Sequence, residues 1–136
     1  MELAAGKKVY FLSDFHLGAP NEKASRVREE HIVRFLQTAK EDAAAIFIVG
    51  DIFDFWFEYK EVVPKGFVRL LGCLASINDA GIPIHIFTGN HDLWMQDYLT
   101  KEIGASVYFS AKEFNFSGKQ FFIAHGDGLG PGDEGY

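Results

Sequence analysis

Short apolar runs recur along the chain, and a cluster of polar residues follows each of them. Four such runs are candidate strands, at residues 9–12, 46–49, 84–87 and 121–124. Apolar runs of about four residues that are bounded by turn-forming residues are typical of strands buried in a sheet. The pattern therefore predicts a sheet whose strands are distributed over most of the chain.

The segments between the first three runs have helical periodicity. Residues 24–43 carry apolar side chains on one side and charged side chains on the others, and apolar residues recur every three or four positions from Phe67 to Ile77. A shorter helix is predicted to begin near Asp92. Strands that alternate with helices favour right-handed crossovers and a parallel sheet, so we expect an α/β fold.

The pattern changes after residue 111. Residues 112–116 and 120–125 are candidate strands separated by Ser117, Gly118 and Lys119. A short turn that contains glycine between two such segments is typical of a β-hairpin. We therefore expect the parallel sheet to be followed by antiparallel strands.

Composition limits the classes of function. With 136 residues and 48% hydrophobic content, the chain can bury one core. A net charge of −6 argues against a nucleic-acid partner, since such binding depends on basic groups. The single cysteine, Cys73, lies in an apolar helical pattern and is expected to be a core residue. No targeting pattern or membrane-spanning run is visible, so we expect a cytoplasmic protein or one peripheral to a membrane.

The polar residues that follow the apolar runs are of the kinds that bind divalent metals. They are Asp14 and His16, Asp51 and Asp54, Asn90 with His91 and Asp92, and His125. Each motif alone is ordinary turn chemistry, but four in order beyond the carboxyl ends of strands favour a metal centre. Mixed oxygen and nitrogen donors suit Mn²⁺, Fe²⁺ or Zn²⁺. Because a pair of such ions can clamp a phosphoryl group, we expect hydrolysis of a phosphate ester or anhydride.

In this order, the motifs DFH, GDIFD, GNHD and HGD resemble those of the calcineurin-like metallophosphoesterase superfamily. The resemblance implies a β-sandwich flanked by helices and a metal-dependent phosphoesterase or pyrophosphatase. It implies that Asp14 and His16 bind one ion, that Asp51 bridges two ions, and that Asn90 and His125 bind the second.

The same resemblance implies roles for three further side chains around the metal ligands. His91 would protonate the leaving group or stabilise charge in the transition state, and Asp92 would orient His91. Asp54 would support the metal ligands without binding an ion itself.

A narrower resemblance connects the segments SDFHLG, GDIFDFWF and HGDGLGPGDEGY to the hydrolases of UDP-2,3-diacylglucosamine in the lipid A pathway. It implies a nucleotide-lipid substrate contacted by Asn90, His91 and Asp133, with Asp133 near the sugar. It also implies two Mn²⁺ ions, with Fe²⁺, Zn²⁺ or Mg²⁺ as alternatives, and a place on the cytoplasmic face of the inner membrane. The best-known branch has arginine where this chain has His91, so the resemblance is to a sister branch.

The C-terminal GHxH motif of the superfamily is not found in these 136 residues. We therefore expect residues 1–136 to form the N-terminal part of a single domain, to hold one ion weakly and to have little activity by themselves. An incomplete sheet predicts exposed apolar surface and an open edge, which self-association would cover. Two alternatives stay open, namely another phosphodiesterase or phosphatase and a non-catalytic binding or assembly module.

An aromatic run follows the second motif and has two interpretations. It contains Phe53, Phe55, Trp56, Phe57 and Tyr59. Aromatic side chains dominate protein cores, so the run can pack a loop against the sheet. It can instead form a surface that faces acyl chains or a membrane.

Overall fold

The computed structural model describes residues 2–54, 56, 58, 63–89, 95 and 97–124. Within these residues the chain forms six strands and three helices. In chain order they are β1 (Lys8–Leu12), α1 (Glu22–Ala39), β2 (Ala43–Val49), α2 (Val68–Asp79), β3 (Ile84–Phe87), α3 (Tyr98–Ile103), β4 (Ser106–Tyr108), β5 (Lys112–Phe116) and β6 (Lys119–Ile123).

Four strands form a parallel sheet in the order β1-β2-β3-β4. Phe47 of β2 lies between Phe11 of β1 and His85 of β3 in the register of this sheet. All four carboxyl ends therefore lie at one edge, which confirms the parallel sheet predicted from the alternation of strands and helices. β5 and β6 pair as the predicted antiparallel hairpin, and Ser117 and Gly118 turn the chain with φ of 51° and 85°.

The alternating side chains of β2 divide the core between the two faces of the sheet. Ile46 and Ile48 lie in the larger cluster with Leu36 of α1 and Leu74 of α2. Phe47 points to the other face, where it belongs to a smaller cluster with residues of the hairpin, Phe116 and Ile123. Because successive residues of a strand point to opposite faces, β2 contributes side chains to the clusters on both faces of the sheet. The result is the expected sandwich of two sheets with helices packed on one side.

Two buried glutamates bind the starts of helices that lack a capping side chain of their own. Glu29 of α1 accepts a hydrogen bond from Leu70 N in the first turn of α2, at 3.0 Å. Glu58 accepts from Tyr98 N at the start of α3, at 3.3 Å, and from Trp56 Nε1 at 3.0 Å. The N-terminal amides of a helix need external acceptors, and a carboxylate also interacts well with the helix dipole.

Some element boundaries differ from the sequence predictions. The first helix ends at Ala39 rather than at residue 43, because Ala43 pairs with Lys8 and begins β2. β4 was not predicted, since it has only three residues and forms by pairing with β3. The helix expected near Asp92 begins at Tyr98 in the described part of the chain, and residues 90–94 lie outside that part.

The aromatic run is buried where the structure describes it. Phe53 and Trp56 are 1% and 0% exposed, and their rings stack with centroids 4.3 Å apart. The packing interpretation therefore holds for these two residues. Phe55, Phe57 and Tyr59 lie outside the described residues.

Apolar surface is exposed on the outer strand β1 and on the adjacent hairpin. Phe11, Phe121 and Phe122 are 48%, 38% and 63% exposed. This surface agrees with the expectation of exposed apolar side chains, and self-association through it stays a prediction. Among the described residues, no helix combines the length and the apolar character needed to cross a bilayer.

Candidate metal centre

The loops that follow β1 and β2 have an unusual backbone conformation. Asp14, His16 and Asp51 have φ of 59°, 46° and 52°, and Gly50 before Asp51 has φ of 80°. A left-handed conformation costs a residue with a side chain about 1–3 kcal/mol and is concentrated at functional sites. Three such residues therefore occupy the positions that the sequence predicted to bind metal.

The two loops hold each other in register beyond the ends of their strands. Leu17 and Phe53 form an isolated parallel bridge. Backbone hydrogen bonds connect the loops from Asp14 N to Gly50 O (3.3 Å), from His16 N to Asp51 O (2.9 Å), from Leu17 N to Ile52 O (2.9 Å) and from Asp54 N to Leu17 O (2.8 Å). The first and second motifs are consequently joined in one hydrogen-bonded unit.

This unit brings three predicted metal ligands together. One donor atom from each of Asp14, His16 and Asp51 lies within 4.8 Å of the others. His16 Nε2 is 3.5 Å from Asp14 Oδ1 and 3.9 Å from Asp51 Oδ2. Ligands bonded to one ion at about 2.0–2.2 Å are separated by roughly 3–4.4 Å, so these residues fit a divalent ion with little adjustment.

The charges around His16 also favour a cation. Its other nitrogen, Nδ1, lies 3.7 Å from Asp54 Oδ1, so three carboxylates lie within 4 Å of one imidazole. The Asp51 side chain is only 6% exposed, whereas those of His16 and Asp14 are 35% and 60% exposed. A concentration of carboxylates with one buried member would be stabilised by a bound cation.

The third motif approaches the same point through its glycine. A Cβ atom on Gly89 would lie 2.2 Å from Asp51 Oδ1 and 2.6 Å from Asp51 N. Only glycine allows the chain to pass this close to the buried carboxylate. The GNHD motif of the sequence therefore begins in direct contact with Asp51.

The remaining predicted residues are outside the part of the chain that the structure describes. This applies to Asn90, His91, Asp92, His125 and Asp133. Their assignments from the sequence therefore stay predictions.

Sequence reasoning missed two residues of α1 that bind the first metal loop. Arg28 donates hydrogen bonds to the carbonyl oxygens of Phe15, His16 and Ala19. Ser25 Oγ accepts a hydrogen bond from Gly18 N at 2.7 Å. Both side chains lie on a helix without a recognisable motif, and their partners are backbone atoms, so no sequence signal identifies the contacts.

Comparison with known proteins identifies the family. The sequence pattern of the calcineurin-like phosphoesterases matches residues 7–133. The chain belongs to this family. It is 48% identical over 120 residues to the UDP-2,3-diacylglucosamine hydrolase of Porphyromonas gingivalis, an alignment that covers 88% of this chain and 46% of that protein.

Proteins of the same name from other bacteria are also similar to the chain. The identity is 31% over 126 residues for Proteus mirabilis, covering 93% of this chain and 50% of the relative. It is 29% over 133 residues for Histophilus somni, covering 96% and 53%. The chain thus spans about half the length of the curated relatives that it matches.

Proposed function

We propose that the protein containing this chain is a metal-dependent hydrolase of UDP-2,3-diacylglucosamine that acts in lipid A biosynthesis. Hydrolysis of the diphosphate would release UMP and 2,3-diacylglucosamine 1-phosphate. The convergence of Asp14, His16 and Asp51 at the carboxyl ends of β1 and β2 is the observation that carries the proposal. The names of the relatives support the choice of substrate.

In this proposal, residues 1–136 are the N-terminal part of a single phosphoesterase domain. Asp14 and His16 would bind one ion, and Asn90 and His125 would bind a second. Asp51 would bind both ions, and Mn²⁺ would be the resident metal. Two bound divalent ions supply charge stabilisation for a phosphoryl group and lower the pKa of a coordinated water. Asp54, 3.7 Å from His16 Nδ1, would fix the orientation of the imidazole ring.

The other polar residues of the motifs would act on the substrate. His91 would give a proton to the leaving phosphate, and Asp92 would hold the ring of His91 in position. Asn90 would also contact the substrate, and Asp133 would bind its sugar. A cytoplasmic protein that associates peripherally with the inner membrane would meet such a lipid substrate at the membrane surface.

Parallel substitutions of His91 and Asp51 in a protein of the relatives' full length test the proposed roles. His91→Ala should lower kcat by roughly 100-fold or more and leave the metal content unchanged, since a general acid contributes about that much. Asp51→Ala should lose both metal and turnover. UMP release and Mn²⁺ content are measured on the same preparations. Loss of metal from the His91 variant would show that His91 is a ligand instead.

The substrate is tested separately from the metal centre. The unsubstituted full-length protein with Mn²⁺ should release UMP from UDP-2,3-diacylglucosamine faster than it hydrolyses simple phosphomonoesters or cyclic nucleotides. Activity on the simple esters alone would refute the lipid substrate and leave a different phosphoesterase. Tight Mn²⁺ binding without any hydrolysis would favour a binding module.

A further inference from the structure

The guanidinium of Arg28 binds three carbonyl oxygens of the loop that carries Asp14 and His16. Nε donates to Phe15 O at 2.8 Å, and Nη2 donates to His16 O at 2.6 Å and also to Ala19 O. Phe15 lies between the two candidate ligands, and His16 is one of them. The contact is therefore made at the backbone of the metal-binding segment itself.

This loop needs an external support because of its conformation. Asp14 and His16 are both left-handed, with φ of 59° and 46°, and such strained residues persist only when their surroundings hold them. Backbone hydrogen bonds to the second loop hold the amide side of the segment, for example His16 N to Asp51 O at 2.9 Å. Arg28 holds the carbonyl side of the same segment from α1.

The helix that carries Arg28 is itself fixed against the loop. Asn21 Oδ1 accepts from Ala24 N and caps the start of α1. One turn later, Ser25 Oγ accepts from Gly18 N at 2.7 Å. Arg28 thus projects from a helix whose first turns are attached to the end of the same loop. A planar, five-donor guanidinium suits several carbonyls in fixed positions, which a lysine ammonium on a flexible stem does not.

We infer that Arg28 is a positioning residue that preorganises Asp14 and His16 to bind the divalent ion. This inference rests on the metal centre of the proposed function and adds a residue that does not touch the ion. Groups that orient metal ligands typically change metal affinity by about 10–100-fold when they are removed. The positive charge of Arg28 would by itself repel a metal cation, so removing that charge alone should strengthen metal binding. Weaker binding in the variants therefore indicates a loss of positioning.

The test compares Mn²⁺ affinity in variants of a protein of the relatives' full length, as in the tests of the proposed function. Free Mn²⁺ is titrated by its electron paramagnetic resonance signal in the wild type, Arg28→Lys and Arg28→Gln. Arg34 is exposed on the same helix, so Arg34→Lys and Arg34→Gln are matched controls. Unfolding by urea in EDTA identifies conditions in which each variant is fully folded, so that affinity is measured on folded protein.

We expect both Arg28 variants to bind Mn²⁺ at least about 10-fold more weakly than the wild type, and both Arg34 variants to bind as the wild type does. Wild-type affinity in folded Arg28→Lys would overturn the inference, as would tighter binding in Arg28→Gln. If neither Arg28 variant folds, Arg28 supports the fold in general and the inference is wrong. A wild type that binds no Mn²⁺ would instead overturn the metal centre of the proposed function, and the inference with it.

Discussion

Replacing Gly89 by alanine should damage the metal centre without adding any polar or charged group. The new Cβ would lie 2.2 Å from Asp51 Oδ1 and 2.6 Å from both Asp51 Cγ and Asp51 N. Real Cβ atoms essentially never come within 3.0 Å of a non-bonded heavy atom of this kind, so the 2.2 Å contact requires a shift of about 0.8 Å. Part of the contact is with backbone, and the side chain of Asp51 is 6% exposed, so a simple rotamer change does not relieve it.

The required shift is large compared with the tolerance of a metal site. Metal–ligand distances are defined to within about 0.2 Å, so a carboxylate displaced by 0.8 Å leaves bonding distance. We expect Gly89→Ala to weaken Mn²⁺ binding by about 100-fold, which corresponds to about 2.8 kcal/mol. Overpacking should also lower the free energy of unfolding by about 1–3 kcal/mol.

The assay is a Mn²⁺ titration together with urea unfolding in EDTA. Gly72→Ala is the matched control, because a Cβ at Gly72 in α2 meets no atom within 4 Å. That control should bind Mn²⁺ normally and be more stable by roughly 0.5–1 kcal/mol, since alanine favours helix over glycine. Binding by folded Gly89→Ala within about twofold of the wild type would refute the close approach of Gly89 to Asp51 as a requirement of the site.

Three other predictions concern parts of the chain away from the metal centre. Gly104→Ala should lower the midpoint of thermal unfolding, because Gly104 has φ of 84° and its new Cβ would lie 2.2 Å from Asn78 Nδ2; an unchanged midpoint would contradict this. Burial lowers the pKa of His85 from 6.5, so the unfolded chain binds more protons and stability falls as the pH drops below 6.5 through the folded pKa. The loss of unfolding free energy between pH 7.5 and 5.5, measured by urea unfolding, should be smaller in His85→Gln than in the wild type. Equal losses in the two proteins would contradict the lowered pKa of His85. Burial raises the pKa of Cys73, the single cysteine, so its alkylation at pH 7.5 should be slow until urea unfolds the chain, and rapid labelling of the folded protein would contradict this.

The sequence by itself determined three of the four parallel strands and the types of donor that follow two of them. Apolar runs predicted β1, β2 and β3 along the chain, and the strands of a parallel sheet place their carboxyl ends together. The sequence alone therefore assigns Asp14, His16 and Asp51 to one place at the edge of the sheet. This succeeded because strand periodicity and the residue types of metal ligands are both local properties of a sequence.

Only the tertiary structure decided how the ligands are held. Arg28 reaches back 12 residues to His16 O, and Glu29 reaches 41 residues forward to Leu70 N. β4 and the early end of α1 likewise depend on pairing with other strands. Every residue carries a backbone carbonyl, and all but proline carry an amide N–H. Nothing in the sequence therefore marks which of these groups a distant side chain will contact. That choice is made by the packing of α1 against the loops of the sheet.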